Sequence, residues 1–350
     1  VPTTGPYSAA RGSTRPAEQA LAHTAGPALT RRGFLALTAA TALLAACSKP
    51  EPSGTVAGDG SVTIRHIFGD TNIPGPPKKV VSAGLTGQDE LLAVGFVPIA
   101  VTEWFGGRPS AVWPWAEAQL GQAQPTVLNL ADGIQVDQIS ALKPDLIIAT
   151  NAGLDSDTYQ KLSTIAPTVA QSGQDAFFEP WKDQATAIGQ AVSKADEMQK
   201  LIDGVGAKFT NAGKASPALN GRKVFLVSGI PSPAGVEVVP AGWRTEFLTE
   251  MGIGTPAGLD PFTHGQHAMV PHDQMANVFS GADALIWTVD ADDQQTAILA
   301  DPTVAQLSQV KNNRIVFAGK DLSAAIAFAS VLSYPAVADQ LPPLLTKALR

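Results

Sequence analysis

From Trp181 to Lys214 the chain repeats apolar residues at helical spacing. Trp181, Ala185, Ile188, Val192, Ala195, Met198, Ile202, Val205 and Phe209 follow one another at intervals of three and four, which marks one face of an α-helix. Glu179-Pro180 opens the stretch, because proline fits the first helical turn, where its missing N–H costs nothing. The next proline is Pro217. About 34 residues at 1.5 Å rise give a rod of roughly 50 Å, longer than a small domain is wide. Two arrangements accommodate such a rod: two lobes joined by one rigid helix, or a long crossover helix within a single sheet. The pattern favours two lobes.

On both sides of the rod, short apolar runs alternate with helical patterns. Before it, Val80-Val81-Ser82, Val97 to Thr102, Leu146 to Thr150 and Thr168-Val169-Ala170 read as strands, with helices at Gly87 to Val94, Val136 to Leu142 and Asp157 to Ile165. After it come strands at Val224 to Ser228, Ala284 to Val289 and Ile315 to Phe317. Helices are expected there at Trp243 to Met251 and Asp301 to Gln309, and across Ser323 to Leu345, where Pro335 interrupts. Alternating strands and helices predict an α/β protein with mainly parallel sheets, one per lobe. The expected divisions are an N-terminal α/β lobe at 62–178, a bridging helix at 179–216 and a C-terminal α/β lobe at 217–350. Ligands of parallel α/β sheets sit at the carboxyl ends of strands. The loops after Ser82, Thr102, Thr150, Ser228, Val289 and Phe317 should therefore line a cleft.

The first residues point to export. Thr30-Arg31-Arg32-Gly33-Phe34-Leu35 is a twin-arginine pattern, and the apolar run from Phe34 to Ala46 is too short to span a bilayer but suits a signal segment. It ends in Leu44-Ala45-Ala46-Cys47, which contains the only cysteine and resembles a lipoprotein cleavage box. Residues 1–46 are thus expected as a twin-arginine lipoprotein signal peptide, Cys47 as the lipidation site, and 47–61, rich in Pro, Gly and Ser, as a flexible linker. The mature protein would then be tethered to the membrane outside the cytoplasm. Removing Arg11, Arg15, Arg31, Arg32 and Glu18 takes the net charge from −7 to −10. No run of lysine or arginine forms a strip, which argues against nucleic-acid binding.

Enzyme signatures are missing from the sequence. It contains no G-x-S-x-G elbow, no H-E-x-x-H and no paired cysteine ligands. His264, His267 and His272 cluster in sequence and could touch a ligand or stand in solvent; no dedicated metal site and no catalytic residue is assigned. The aromatic residues say more. Only 6% of the chain is aromatic, yet Trp104, Phe105, Trp113, Trp115, Phe177, Phe178, Trp181, Trp243, Phe262 and Phe328 fall in predicted loops or helix starts. A loop tryptophan is costly unless it is buried or stacked on a ligand. Arg108 and Arg244 stand near Trp104 and Trp243, a pairing that suits a large, partly planar, anionic guest. Trp113 and Trp115 are expected to be mainly structural. A weak internal echo also appears: Asp89 and Glu246 each stand six residues before a helix-ending glycine, Gly95 and Gly252.

Several stretches together resemble the iron–siderophore substrate-binding lipoproteins of ABC importers, the FecB-type ferric-dicitrate and ferric-siderophore binders. They are Val80-Val81-Ser82, Leu142-Lys143-Pro144-Asp145-Leu146-Ile147, Ile165-Ala166-Pro167-Thr168, Glu179-Pro180-Trp181 with Ile188-Gly189, and Phe328-Ala329-Ser330-Val331-Leu332-Ser333-Tyr334-Pro335. The last of these resembles the actinobacterial branch. The resemblance covers nearly all of residues 62–350. It implies the class III periplasmic-binding-protein fold, a monomer, and a cleft holding one ferric siderophore already saturated at the metal, with no cofactor of the protein's own.

By that resemblance Trp243 and Arg244, and roughly Phe262 to His264, match ligand-contacting positions. Asp89 and Glu246 match acids that dock onto arginines of the ABC permease dimer, one per lobe. Hydroxamate binders carry an arginine before the Val136 helix and a tyrosine after the Leu146 strand, where this chain has Ala131 and Leu154. Arg108 and Arg244 would then serve carboxylate- or phenolate-bearing chelates. Trp104, Phe105, Arg108, Trp243, Arg244, Phe262 and His264 form the expected ligand set. Haem or a corrinoid is the alternative guest, with His264 as an axial ligand; an extracytoplasmic enzyme is the alternative from another class.

Overall fold

The computed structural model describes residues 54–350 apart from Asp59. The signal segment and Cys47 lie outside the described residues.

Three strands open the first lobe: β1 (Gly54–Val56), β2 (Val62–His66) and β3 (Gly69–Ile73) pair antiparallel in that order. Gly54–Val56 falls within the expected linker, yet it pairs in register with Val62–Ile64. Then follow β4 (Val80–Ser82), α1 (Gly87–Ala93), β5 (Ala100–Thr102), α2 (Glu117–Leu120), β6 (Thr126–Leu128), α3 (Val136–Leu142), β7 (Leu146–Ala149), α4 (Ser156–Ser163) and β8 (Thr168–Ala170). The five strands β6-β5-β4-β7-β8 form one parallel sheet in that order. Side chains alternate across a strand. Leu146 and Ile148 accordingly join one core with Val80, Ile64 and Ile188, while Ile147 and Ala149 join another with Val81, Ile139 and Leu162. Both faces are covered, which is why Leu146-Ile147-Ile148-Ala149 is apolar throughout.

The connection between lobes is helical, as the stripe predicts, but it is not one continuous rod. It divides into α5 (Trp181–Ala191) and α6 (Ala195–Ala215). Ser193 takes a left-handed φ of 58°, the Lys194 amide donates to the Gly189 carbonyl at 2.7 Å, and the Ser193 amide donates to Gln190 at 3.0 Å. This is the Schellman ending of a helix. A β-carbon on Gly189 would lie 2.5 Å from Met198 Cβ, so a glycine there lets α6 fold back close to α5. The apolar spacing ran through the break because both helices bury that face. Ala187, Ile188, Ala191 and Val192 complete the first lobe's core; Trp181, Ala185, Met198, Ile202, Val205 and Phe209 complete the second's.

The second lobe holds β9 (Val224–Ser232), β10 (Gly235–Val239), α7 (Glu246–Glu250), β11 (Thr263–His264), β12 (His267–Val270), α8 (His272–Phe279), β13 (Ala284–Thr288), α9 (Gln294–Ala300), α10 (Ser308–Lys311), β14 (Ile315–Phe317), α11 (Gly319–Phe328) and α12 (Ser333–Ala348). Its sheet runs β11-β12-β10-β9-β13-β14 and is mixed. β9, β13 and β14 are parallel, whereas β10, β11 and β12 add an antiparallel half. Ala329 at φ 49° separates α11 from α12, so Pro335 falls in the first turn of α12, where it needs no hydrogen bond. Phe209 packs edge-on against Tyr334, tying α6 to α12.

Candidate ligand-binding cleft

The floor of the space between the lobes is a buried polar network. Asn151, at a left-handed φ of 52°, donates from Nδ2 to Thr86 Oγ1 (3.2 Å) and accepts the Glu179 amide (3.0 Å). Thr86 donates to Gln184 Oε1 (3.0 Å), and Gln184 Nε2 donates to Thr150 Oγ1 (2.9 Å). Gly84 is required here, since a β-carbon would stand 1.7 Å from the Thr150 carbonyl oxygen. The network fixes the loops after β4 and β7 onto the start of α5. Glu179 accepts the Ser172 amide and hydroxyl, each at 2.8 Å, and burial raises its carboxyl to about 7.

Above this floor lies an aromatic strip supplied by both lobes. Trp104 stands 4.9 Å from Phe105, 6.2 Å from Phe178 and 5.3 Å from Phe328, which comes from the end of α11. Leu85, Phe177, Phe178, Trp243 and Phe328 enclose a cavity of about 10 Å³. From the first lobe the lining follows the carboxyl ends of β4, β5 and β7, as expected. From the second lobe it comes from Trp243 and Ala327–Ala329, not from the loops after Ser228, Val289 and Phe317. For Trp243 the physical reason is the mixed sheet: β10 runs antiparallel to β9, so the segment after it returns to the opposite edge. Ala327–Ala329 lie at the far end of α11, one helix length from the loop after Phe317.

The expected ligand residues separate into groups. Trp104, Phe105 and Trp243 belong to or border the strip. Arg108 bridges the lobes: Nη2 pairs with Asp321 Oδ1 of α11, and its guanidinium lies 4.5 Å over Trp113. Arg244 is buried, 5.4 Å over the Phe178 ring, and donates to the Gln266 carbonyl at 3.5 Å. Phe262 packs against the second lobe's core, and His264 stands exposed beside the tight turn between β11 and β12; neither lines the cavity. His267 approaches instead: its Nδ1 is 2.6 Å from Glu237 Oε1 and its ring is 6.1 Å from Phe178. His272 bonds the Ser232 carbonyl at 2.9 Å, so the three histidines form no cluster. Among the described residues no group of three or more His, Cys, Asp or Glu side chains is placed to hold a metal ion.

Trp113 and Trp115 are structural. Trp113 is buried and stacks on Trp115 at 5.3 Å and 3°. Trp115 Nε1 in turn donates to Asp89 Oδ2 at 2.7 Å, and Ser330 Oγ of the second lobe donates to the same oxygen at 2.6 Å. This overturns the expectation that Asp89 docks a permease. The residue is 1% exposed, and burial raises its carboxyl to about 6, against the pull of the two donors. Glu90 beside it is also buried and raised well above the ordinary carboxylate range, first by desolvation and then by Asp89. Glu246 is half-exposed and paired with Lys182 of α5 at 2.9 Å.

A second echo links the two lobes. Asp137-Gln138-Ile139 opens α3 before β7, and Asp273-Gln274-Met275 opens α8 before β13. Both aspartates are exposed, while Ile139 and Met275 are buried. Each pattern closes on an aspartate at the foot of the following strand, Asp145 accepting the Lys78 and Lys79 amides and Asp283 the Lys223 amide. Because β12 is parallel to β9, both helices start over the carboxyl edge of their sheets.

A search against known protein families matches the periplasmic binding protein model over residues 80–322. The chain is 35% identical over 169 residues to YfiY of Bacillus subtilis (strain 168), designated a probable siderophore-binding lipoprotein; the match takes in 47% of this chain and 49% of that one. It thus spans about half the length of that curated relative. A crystal structure of a periplasmic solute binding protein from Mycobacterium smegmatis str. MC2 155 superposes with a TM-score of 0.79 at 59% identity, covering 83% of this chain and all (100%) of that one. PiaA of Streptococcus pneumoniae TIGR4, in complex with ferrichrome, shares the fold at 23% identity and a TM-score of 0.69, over 82% of this chain and 98% of its own. With its two α/β lobes and its aromatic strip between them, this chain belongs to the periplasmic binding protein family.

Proposed function

We propose that the protein is a lipid-anchored extracytoplasmic receptor that captures a ferric siderophore and delivers it to an ABC permease, without catalysing a reaction. The carrying observation is the aromatic strip of Trp104, Phe105, Phe178 and Phe328, contributed by both lobes at their junction. The designation of YfiY supports the same ligand class. A siderophore satisfies its own iron, so the protein needs surface to grip rather than metal ligands. A cavity of about 10 Å³ admits about one water, whereas small-molecule sites hold several hundred cubic ångströms. Ligand entry therefore parts Trp104 and Phe178 from Phe328. The anchor is Cys47, following Leu44-Ala45-Ala46, and the receptor acts as a monomer. No helix among the described residues is long and apolar enough to cross a membrane.

The test is titration of the purified protein with a panel of ferric chelates, read by tryptophan fluorescence. Quenching with saturation is expected, and Trp104→Ala should weaken binding roughly 10- to 100-fold, as loss of a stacked aromatic does. Emission unchanged across the panel overturns the reading. For permease docking, one acid per lobe is best supplied by Asp137 and Asp273, which are exposed and equivalently placed. Asp137→Lys with Asp273→Lys should abolish uptake in cells while ligand affinity stays unchanged; uptake at the normal rate would overturn that assignment.

A further inference from the structure

Segment 103–111 leaves β5, reaches α11 of the second lobe through Arg108 and returns to the buried Val112 and Trp113. Its start is anchored by the Glu103 amide, which donates to the Leu128 carbonyl at 2.8 Å. Among the described residues no backbone hydrogen bond ties Trp104 through Ser110 to another element. Gly106 and Gly107 take left-handed φ angles of 94° and 58°, and Ser110 and Ala111 follow at 54° and 51°, where L side chains are uncommon. A β-carbon on Gly106 would lie 2.6 Å from the Trp113 ring, so glycine lets the segment close down on that ring. Side chains therefore hold this strap in place. Trp104 and Phe105 pack on Phe328, and Arg108 pairs with Asp321, whose side chain is 62% exposed. The Trp113 ring meets a cation from each lobe, the Arg108 guanidinium at 4.5 Å and the Lys320 ammonium at 5.9 Å. Two further carboxylates at this corner, Glu103 and Asp292, accept the Gly107 and Lys320 amides at 2.9 and 2.8 Å.

The lobes, by contrast, are joined by buried contacts. Asp89 Oδ2 accepts Ser330 of the second lobe at one seam, and α5 and α6 enter both cores along the other. Rotating the lobes breaks those contacts, whereas lifting the strap breaks ring packing and one ion pair of the kind that contributes little in water. Resting on the siderophore reading above, we propose that the strap 103–111 is the gate of the cleft and Arg108–Asp321 its latch, the lobes keeping their angle as the strap lifts. Lifting carries Trp104 and Phe105 off Phe328 and opens the closed junction. The guest is larger than the closed cavity, so the latch holds only in the empty protein. It lowers apparent affinity by the fraction of molecules that are unlatched. Arg108 therefore serves the gate and not a carboxylate of the guest.

The experiment combines two thiol reporters with two latch variants. Ala324→Cys places a thiol beside Trp113 and Phe328, where Trp104 and Phe105 pack, and Ala185→Cys places one on α5 at the apolar seam; both positions are buried. Each thiol is labelled in the empty protein and read at its own residue by peptide mapping. Asp321→Asn and Arg108→Gln, each checked for a native circular-dichroism spectrum, should speed labelling at Ala324→Cys about fivefold, the upper reach of an exposed ion pair, and leave Ala185→Cys unchanged. Equal acceleration at both reporters would place the opening between the lobes, and none at Ala324→Cys would remove the latch; either result overturns the proposal. A second arm follows stopped-flow tryptophan quenching by ferric citrate, ferrioxamine and a ferric tris-catecholate. Both variants should raise the association rate and tighten binding about fivefold for each chelate that binds. The two substitutions change net charge in opposite directions, so opposite effects on association would mean charge attraction alone and overturn the latch. Quenching by none of the chelates would defeat the siderophore reading, while the labelling would still decide the gate.

Discussion

The lobes meet along two seams of opposite chemistry. Along α5 and α6 the contact is apolar: Trp181, Met198, Ile202, Val205 and Phe209 enter the second lobe's core, and Ile188 and Val192 enter the first's. Where α1 meets the corner between α11 and α12, the contact is polar and equally buried. Asp89 there accepts Trp115 and Ser330, and Ser330 Oγ also accepts the Leu332 and Ser333 amides. Dispersion and burial are non-directional, so the first seam contributes stability without fixing one orientation. Hydrogen bonds to a single carboxylate oxygen are directional, so the second holds the lobes at one angle and presents Phe328 to Trp104. The comparison therefore assigns strength to one seam and geometry to the other.

Truncating the apolar seam should have the largest effect. Phe209→Ala removes a fully buried ring touching Phe247 and Tyr334 and should cost about 3–5 kcal/mol, read from urea unfolding with the slope unchanged. A loss below about 1 kcal/mol would place the strength elsewhere. Next is Asp89→Ala, which leaves the buried Ser330 hydroxyl and the part-buried Trp115 N–H without their acceptor. It should cost about 2–3 kcal/mol and, unlike Phe209→Ala, weaken ligand binding in the surviving folded protein.

The polar seam also predicts a pH dependence. Folding raises Asp89 from 3.8 to about 6 and Glu179 from 4.5 to about 7, through burial in both cases. A carboxyl that holds its proton more tightly when folded favours the folded state most below its unfolded pKa. That contribution is lost as pH rises through the folded value. Stability should therefore fall between about pH 4 and pH 7, by on the order of 2–3 kcal/mol from Asp89 alone. Urea midpoints at pH 4.5 and 8 test this, and Asp89→Asn should flatten the difference. A midpoint rising across that interval would contradict the assignment. The smallest effect is expected from Lys208–Asp339, an exposed pair between α6 and α12 at 2.7 Å. Asp339→Ala should change stability by less than about 1 kcal/mol.

Much of the fold was legible because periodicity reports burial directly. The Leu146 strand, the Val136 helix and the apolar face from Trp181 to Phe209 appear where the pattern puts them. The break at Ser193 was not legible, because two helices burying the same stripe look like one when only spacing is read. The hairpin of β10, β11 and β12 was missed for a related reason. Its strands are short, and the polar Glu237 and His267 sit where a plain apolar run would have signalled a strand. The second echo, Asp137 with Asp273, stood in the sequence. Its two acids face solvent, whereas the glycine-anchored echo has an acid, Asp89, that turns inward.

By itself the sequence determined the alternation of strands and helices, the helical link between lobes and the aromatic richness of the loops, since each depends on local pattern or composition. Only the tertiary structure decided which side of each residue faces what. It buried Asp89 under Trp115 and Ser330, paired Arg108 with Asp321 from more than 200 residues away, and brought His267 rather than His264 toward Phe178. Charge matching and lobe contact arise between segments remote in the chain, and no local spacing records which of them will meet.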